Sequence, residues 1–323
     1  MNDSFGDKLK ITLFGASHSP RLGVTISGVP AGLVLSQEDF MRDILRRKSG
    51  AAGTTPRLES DLPCFECGVK LQEDGNLVTD GGQICISFEN NDFRPQDYAS
   101  FKDVPRPGHA DFVAFERFGS LLDGYFSGRM TLPVVAAGAI AKKMTAPALI
   151  EARLTQIGGL AVAQADKAIA QTAEEGDSIG GIVECRCSGL PVGLGEPFFD
   201  SVESLLSHAM FAIPGIRGIE FGDGFAAAAM RGSEHNDPLI DSSGHTSKNG
   251  CGGINGGMTN GNELVFRIAV KPTSSISRVQ KTFDMSTGTM TEFSVPGRHD
   301  VCFALRVPPV VEALTAIVLA NLI

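Results

Sequence analysis

Three histidines of this chain sit in short turn-forming stretches beside hydroxyl or charged neighbours: F-G-A-S-H-S-P over 14–20, R-P-G-H-A-D over 106–111 and V-P-G-R-H-D over 295–300. Imidazole titrates near pH 6.5, so His18, His109 and His299 can each give or take a proton under cellular conditions. Tight loops on a rigid scaffold are the usual place from which such a side chain faces a cleft. One such histidine alone is as well explained by a turn cap or a loop carbonyl. Three of them among arginines point to acid–base chemistry on an anion. The arginines are Arg46 and Arg47 (followed by Lys48), Arg57, Arg106, Arg129, Arg298 and Arg306. Helix-end charge accounts for some of them, but a guanidinium fork suits phosphate and carboxylate, so the group implies a small ligand with several negative charges.

A second chemical signal is N-G-C-G-G-I-N-G-G-M-T-N-G over 249–261, followed by K-P-T-S-S-I over 271–276. The first offers closely spaced backbone N–H groups with little side-chain bulk, which an anion or a flat ring needs for close approach. The second adds a lysine and three hydroxyls. Neither matches the Walker or dinucleotide patterns. There is no nucleophile elbow, zinc-protease helix or diagnostic pair of carboxylates. The residues alone therefore describe an acid–base enzyme for a polyanionic metabolite, with a phosphate-bearing cofactor as an option.

The elements that must hold these loops show an internal echo. G-V-T-I-S-G-V-P-A-G-L over 23–33 and G-I-V-E-C-R-C-S-G-L-P-V-G-L over 181–194 share Gly, Pro, Gly and Leu at a constant offset: 189−28, 191−30, 193−32 and 194−33 all equal 161. Each copy alternates like a strand, turns at Gly-x-Pro-x-Gly, and enters a helix, predicted over 36–48 and 200–210. This predicts an α+β chain with a duplicated strand-turn-helix unit: one domain over 1–323 with halves of about 1–160 and 161–323. Further helices are predicted over 165–175, ending at Gly176, and over 134–144, ending in two lysines that suit a helix C-terminus. A last helix from Pro308 is apolar almost all round apart from Glu312 and Asn321, so it must be buried, in its own core or in a partner subunit. Between Gly222 and Gly261 a long Gly-, Asn- and Ser-rich segment reads as a functional loop that returns to a strand over 263–270.

A formal charge of −9 argues against nucleic-acid partners and anionic membrane surfaces. The N-terminus has no secretory pattern, and apolar runs such as 134–141 are too short to span a bilayer, so a cytoplasmic protein is expected. Seven cysteines are expected to be reduced thiols. Cys64 with Cys67 and Cys185 with Cys187 can be imagined as a four-thiolate zinc site, but both pairs sit among alternating apolar residues, where cysteine behaves as a small hydrophobe, and no metal is expected.

Taken together, these stretches resemble the chorismate synthase family nearly end to end. F-G-A-S-H-S with G-V-T-I-S-G-V-P-A-G-L, R-P-G-H-A-D-F, V-A-A-G-A-I-A, G-D-S-I-G-G-I-V-E, G-L-G-E-P-F-F-D, G-S-E-H-N-D, N-G-C-G-G-I-N-G-G, K-P-T-S-S-I and G-R-H-D stand in family order. The resemblance implies a β-α-β sandwich, usually a homotetramer, that eliminates phosphate across a 1,4 system from 5-enolpyruvylshikimate 3-phosphate to give chorismate. It also implies reduced FMN without net redox, here supplied by an external flavin reductase.

By the same resemblance, His18 is the acid that protonates the departing phosphate, and His109 sits near the flavin to protonate it or tune its charge. Asp300 with Ser17 handles the substrate proton. Arg46, Arg47, Arg57, Arg129 and Arg298 grip the anions, and Ser127, Asn249, Gly252, Gly253, Lys271, Thr273 and Ser275 hold FMN. The chain departs from the family at Ala16, where glutamate is usual, at Ser19, where glycine is usual, and in Y-F-S-G-R-M-T over 125–131, which stands for R-S-S-A-R-E-T. Lys48-Ser49 replaces Arg-Pro, Val301 replaces a proline, and 70–83 lacks a T-T-G-T-P stretch expected to wall the site. Two other readings are a catalytically weak paralogue that binds flavin or a phosphorylated metabolite, and an unrelated phosphosugar isomerase, which would need no flavin.

Overall fold

The computed structural model describes residues 3–92, 101–295 and 299–323. In its first half run β1 (Ser4–Phe5), β2 (Lys10–Gly15), β3 (Arg21–Ser27), β4 (Val34–Leu35), α1 (Gln37–Arg47), β5 (Cys64–Cys67), β6 (Val69–Leu71), β7 (Leu77–Thr79) and β8 (Ile84–Glu89), then α2 (Asp111–Phe118) and α3 (Thr131–Met144). The second half has β9 (Leu149–Ile157), β10 (Leu160–Ala161), α4 (Asp166–Glu174), β11 (Gly181–Ser188), α5 (Val202–Met210), β12 (Ile216–Phe221) and α6 (Gly232–His235). It continues with β13 (Ile254–Asn255), β14 (Met258–Thr259), β15 (Leu264–Val270), β16 (Gln280–Asp284), β17 (Thr289–Phe293) and α7 (Pro308–Leu322).

Two antiparallel sheets dominate, ordered β1-β2-β3-β8-β5 and β10-β9-β11-β15-β12. Setting aside the short edge strands β1 and β10, each sheet runs first, second, fourth, third along its own half. In the first sheet Leu22, Val24 and Ile26 oppose Phe88, Ile86 and Ile84 in register, and all six are buried. In the second, Val183, Cys185 and Cys187 oppose Ile268, Phe266 and Leu264. Period-two alternation puts these residues on one face of each sheet, and that face needs a cover. The cover is α3 against β3 and β8, and α7 against β9 and β11, with the two helices packed on each other.

Such helices have no solvent side, and α3 is buried from Thr131 to Ala141 and α7 from Pro309 to Ala320. Their close approach depends on Gly138, because a Cβ there would lie 2.2 Å from Ala313 Cβ. The chain is thus an α+β sandwich with a helical interior, and α7 is buried in its own core.

The predicted helices are found within three residues at each end. α1 begins at Ser36, whose Oγ accepts the Asp39 N–H at 3.3 Å while Asp39 accepts the Ser36 N–H at 2.7 Å. α5 is capped by Ser201, which accepts the Ser204 N–H at 3.1 Å. The 222–261 segment carries a 3-10 helix (Gly224–Ala229), α6, an isolated bridge between Leu239 and Thr246, the β13–β14 hairpin and turns before entering β15. Cys64 and Cys67 lie on β5 and Cys185 and Cys187 on β11, in different sheets.

Both Gly-x-Pro-x-Gly turns are locked alike, by a residue the sequence reading did not single out. Thr79 Oγ1 donates to Pro30 O at 2.6 Å and accepts the Leu33 N–H at 2.9 Å. Thr259 Oγ1 donates to Pro191 O at 2.6 Å and accepts the Leu194 N–H at 2.9 Å. Gly32 and Gly193 take φ of +88° and +92°, a region closed to most side chains.

Candidate active site

A cavity of about 850 Å³ gathers residues from both halves, including Ser17, His18, Arg47, Arg57, His109, Ser127, Arg129, Lys271, Thr273, Ser275 and Asp300. That volume is toward the upper end for small-molecule sites, which run from about 300 to 1,000 Å³.

Ser17 and His18 sit on the β2–β3 hairpin. The loop's shape is set by Ser19, whose Oγ accepts the Ala16 N–H at 2.8 Å and donates to Arg21 O at 2.6 Å. Asn90, just past β8, donates through Nδ2 to Ala16 O and Ser19 O, and the His18 N–H donates to Asp123 O at 2.9 Å. Ser19 is therefore a brace for the histidine loop. The second departure, Tyr125, donates its hydroxyl to Asp3 at 2.6 Å and ties the N-terminal strand to the turn carrying Ser127 and Arg129.

Behind this loop lies a cationic wall. Arg47, in the last turn of α1, and Arg129 share Asp61 at 3.0 and 2.9 Å. Arg57 pairs with Glu59 at 2.7 Å and donates to Ser17 Oγ at 3.0 Å. Arg306 donates to Arg47 O at 2.9 Å and to the Asp300 carboxylate at 3.0 Å. Four guanidinium groups thus face three carboxylates, Glu59, Asp61 and Asp300. Arg47 is 1% exposed, yet its Nε and Nη1 have no acceptor among the described residues. Burial first, then Arg306 and Arg129, pull its pKa down to about 9 against the opposing pull of Asp61. Burial alone would raise the Asp61 carboxyl, but Arg47 and Arg129 outweigh it and hold it below its usual range.

The other end is built from the 106–111 and 271–276 loops stitched together. Arg106 forks onto Asp111 and donates to Ser275 Oγ at 2.9 Å, while Ser274 Oγ accepts from Lys271 Nζ at 2.7 Å and donates to Gly108 O at 2.8 Å. Thr273 Oγ1 donates to Asp300 O, which links this end to the arginine wall. Burial and then the neighbouring Arg217 lower the Lys271 pKa. Burial lowers the His109 pKa as well; the Asp111 hydrogen bond opposes this, and Arg106 and Lys271 reinforce it.

Some expected site residues lie elsewhere. Arg46 does not line the cavity: its guanidinium is committed to Glu312 at 2.7 Å and Asp43 at 2.9 Å, because at the end of α1 it points toward α7 while Arg47 points inward. Asn249, Gly252 and Gly253 are also outside it. Asn249 Nδ2 donates to Glu263 O at 2.7 Å, and a Cβ on either glycine would strike backbone, at 2.5 Å from Gly222 N and from Glu263 O. There the glycines let chain segments cross. Arg298 lies outside the described residues. Residues 70–83 do not wall the site; they form β6, β7 and their links, and the wall is made instead by Thr55, Arg57, Glu59 and Asp61.

Arg106 and Arg306 were read from sequence only as members of the arginine group, and Arg217, His208 and the carboxylates Glu59, Asp61 and Asp111 were given no site role; all of them line or brace the cavity. Asp111 had a legible signal, standing two residues after His109 in the same motif. Asp61 had none, because its arginines, Arg47 and Arg129, come from distant segments, whereas Glu59 stands two residues from its partner Arg57. Among the described residues no group of three or more His, Cys, Asp or Glu is placed to hold a metal, and no helix is long and apolar enough to cross a membrane.

Comparison with known proteins gives one consistent answer. A family model described as chorismate synthase matches residues 9–323. The chorismate synthase of Chitinophaga pinensis is 54% identical over 324 residues, covering 99% of this chain and 96% of that protein. That of Dehalococcoides mccartyi is 42% identical over 356 residues, covering 100% and 96%. A crystal structure of a chorismate synthase superposes with a TM-score of 0.74 at 23% identity, covering 98% of this chain and 92% of the other, a likeness of fold.

Proposed function

The chain belongs to the chorismate synthase family, and from that premise we propose that its cavity eliminates phosphate from 5-enolpyruvylshikimate 3-phosphate to give chorismate, a carbon–oxygen lyase step on the route to aromatic amino acids. The observation that carries this reading is Arg47. A buried guanidinium with two donors lacking acceptors among the described residues, flanked by Arg57, Arg129 and Arg306, calls for an anion, and this substrate brings a phosphate and two carboxylates.

The residues present fit reduced FMN. The cavity has room for two small ligands, and Lys271 with Arg217 forms a second cationic end beside Ser127, Thr273 and Ser275. When bound, the reduced flavin supplies electron density that eases phosphate departure, and it is not consumed. The chain's own residues do the rest. Arg47, Arg57 and Arg129 bind and orient the substrate, His18 gives a proton to the leaving phosphate oxygen, and Asp300 with Ser17 assists transfer of the proton lost from carbon to the flavin. Arg298 belongs to the same proposed grip.

The alternative of a catalytically weak paralogue drew on Ala16, Ser19 and Tyr125. Ser19 and Tyr125 support the loops they stand in, and the end-to-end match to the family and to relatives named chorismate synthase favours the main reading. The same reading makes the protein a cytoplasmic homotetramer that receives reduced FMN from a separate reductase. It treats 1–323 as one domain of two related halves, supported by the matching strand order and threonine-locked turns.

The test is anaerobic phosphate release from 5-enolpyruvylshikimate 3-phosphate with and without chemically reduced FMN. Release only with reduced flavin is expected. Release without any flavin, or none despite bound FMN, refutes the reading.

A further inference from the structure

We propose that Asp111 is the positioning residue for His109, holding the imidazole as the Nδ1–H tautomer so that Nε2 presents a lone pair to the cavity. The 106–109 segment is a tight turn, closed by the His109 N–H donating to Arg106 O at 3.1 Å, with Gly108 at φ +69°. With proline second and glycine third, it is of the kind that needs glycine at its third position. The turn brings His109 back onto Asp111, which opens α2 and is 3% exposed.

Asp111 Oδ2 accepts the Arg106 N–H at 3.0 Å and its Nε at 2.7 Å, while Oδ1 accepts Arg106 Nη2 at 2.7 Å. His109 Nδ1 is 2.7 Å from the same Oδ1 and 3.0 Å from Arg106 Nη2. These two contacts make opposite demands on one nitrogen. As an acceptor from Arg106, Nδ1 would turn its lone pair on a carboxylate oxygen 2.7 Å away. As a donor it satisfies that carboxylate, and Arg106 Nη2 keeps its bond to Oδ1.

Hydrogen bonds to a charged group are strong enough to set a population ratio of roughly ten to a hundred, so the donor arrangement wins. The ring is also held in orientation by Phe126, edge-on at 6.5 Å between centroids. The charged groups around it are Asp111 and Arg106 from its own segment and Lys271 from the end of β15. Burial and the two cations keep the imidazole neutral, which leaves Nε2 unprotonated.

In the free protein His109 therefore presents Nε2 as an acceptor for an N–H or O–H. A chain of contacts from Ser275 through Arg106 and Asp111 ties that acceptor to the 271–276 loop. The catalytic consequence rests on the proposed function, whereas the tautomer does not.

The experiment separates the two. Protein labelled with 15N-histidine is examined near pH 7.5 by two-bond 1H–15N correlation, with His109 assigned from the signals lost in His109→Gln. A protonated Nδ1 with a bare Nε2 is expected; a proton on Nε2 overturns the proposal. In Asp111→Asn the carboxamide oxygen must serve the Arg106 N–H and Nε, so its NH2 faces His109 Nδ1 and reverses the tautomer. Turnover should then fall by about 10² to 10⁴, with substrate KM within about threefold. A folded Asp111→Asn protein with the original tautomer, or with full turnover, overturns the proposal. If that variant does not fold, the wild-type spectrum still decides. A wild type with the expected spectrum but no phosphate release would instead sink the proposed reaction.

Discussion

Arg47 and His18 do different work in the same cavity, and substitution separates them. Arg47→Lys keeps a charge but loses the fork, so kcat/KM for phosphate release should drop by about 30- to 300-fold, mostly through KM. Unchanged KM would remove Arg47 from substrate binding. His18→Ala should slow phosphate release by about 10² to 10⁴ while FMN affinity, read by flavin fluorescence, stays within about twofold. Wild-type turnover in that variant would take His18 out of the acid role.

Secondary-structure elements reach the site through a few contacts that helix and strand patterns do not encode. Thr79 and Thr259 each satisfy a carbonyl and an N–H in a turn and are 3% and 1% exposed. Replacing either with valine keeps the volume but strands those groups, so each change should destabilise the fold by about 2–3 kcal/mol, by similar amounts at the two positions. Urea denaturation would check this, and a loss under about 0.5 kcal/mol at either position would contradict it. Gly138→Ala improves helix propensity by about 1 kcal/mol but places a methyl 2.4 Å from Ala313 Cα. Overpacking against backbone dominates, and a net loss of about 2 kcal/mol or more in thermal denaturation is expected.

At the scale of the molecule, one polar cluster joins the interior helices. Glu312 of α7 accepts from Arg46 of α1, from Lys142 of α3 at 2.7 Å and from the Ala152 N–H of β9 at 2.9 Å. Burial alone would raise its pKa, but these partners outweigh it and hold it below the ordinary glutamate value. A depressed carboxylate stabilises the fold above its unfolded pKa of about 4.3 and loses that contribution as pH falls through the folded value. Asp61 and Asp111 have the same sign. Stability should therefore decline steeply below about pH 4, and Glu312→Gln should flatten part of that slope while costing about 2–4 kcal/mol at pH 7. Equal acid slopes in the two proteins would show that Glu312 does not supply it.

What the sequence by itself determined were the features that depend on near neighbours along the chain: the helices, through periodicity and the Ser36 and Ser201 caps, the strand alternation, the Gly-x-Pro-x-Gly turns, and the loops bearing His18, His109 and Asp300. Such signals survive without a fold because a turn or a helix cap is closed within a few residues. Tertiary structure alone decided which of two adjacent helix-end arginines enters the cavity. Arg46 and Arg47 are equivalent in composition and propensity, but successive residues on a helix point about 100° apart. Only the positions of α7 and of Asp61 say which of those directions is core salt bridge and which is site. The same holds for Asn249, Gly252 and Gly253, whose glycine richness reads equally as ligand approach or chain crossing until Gly222 and Glu263 are seen lying against them.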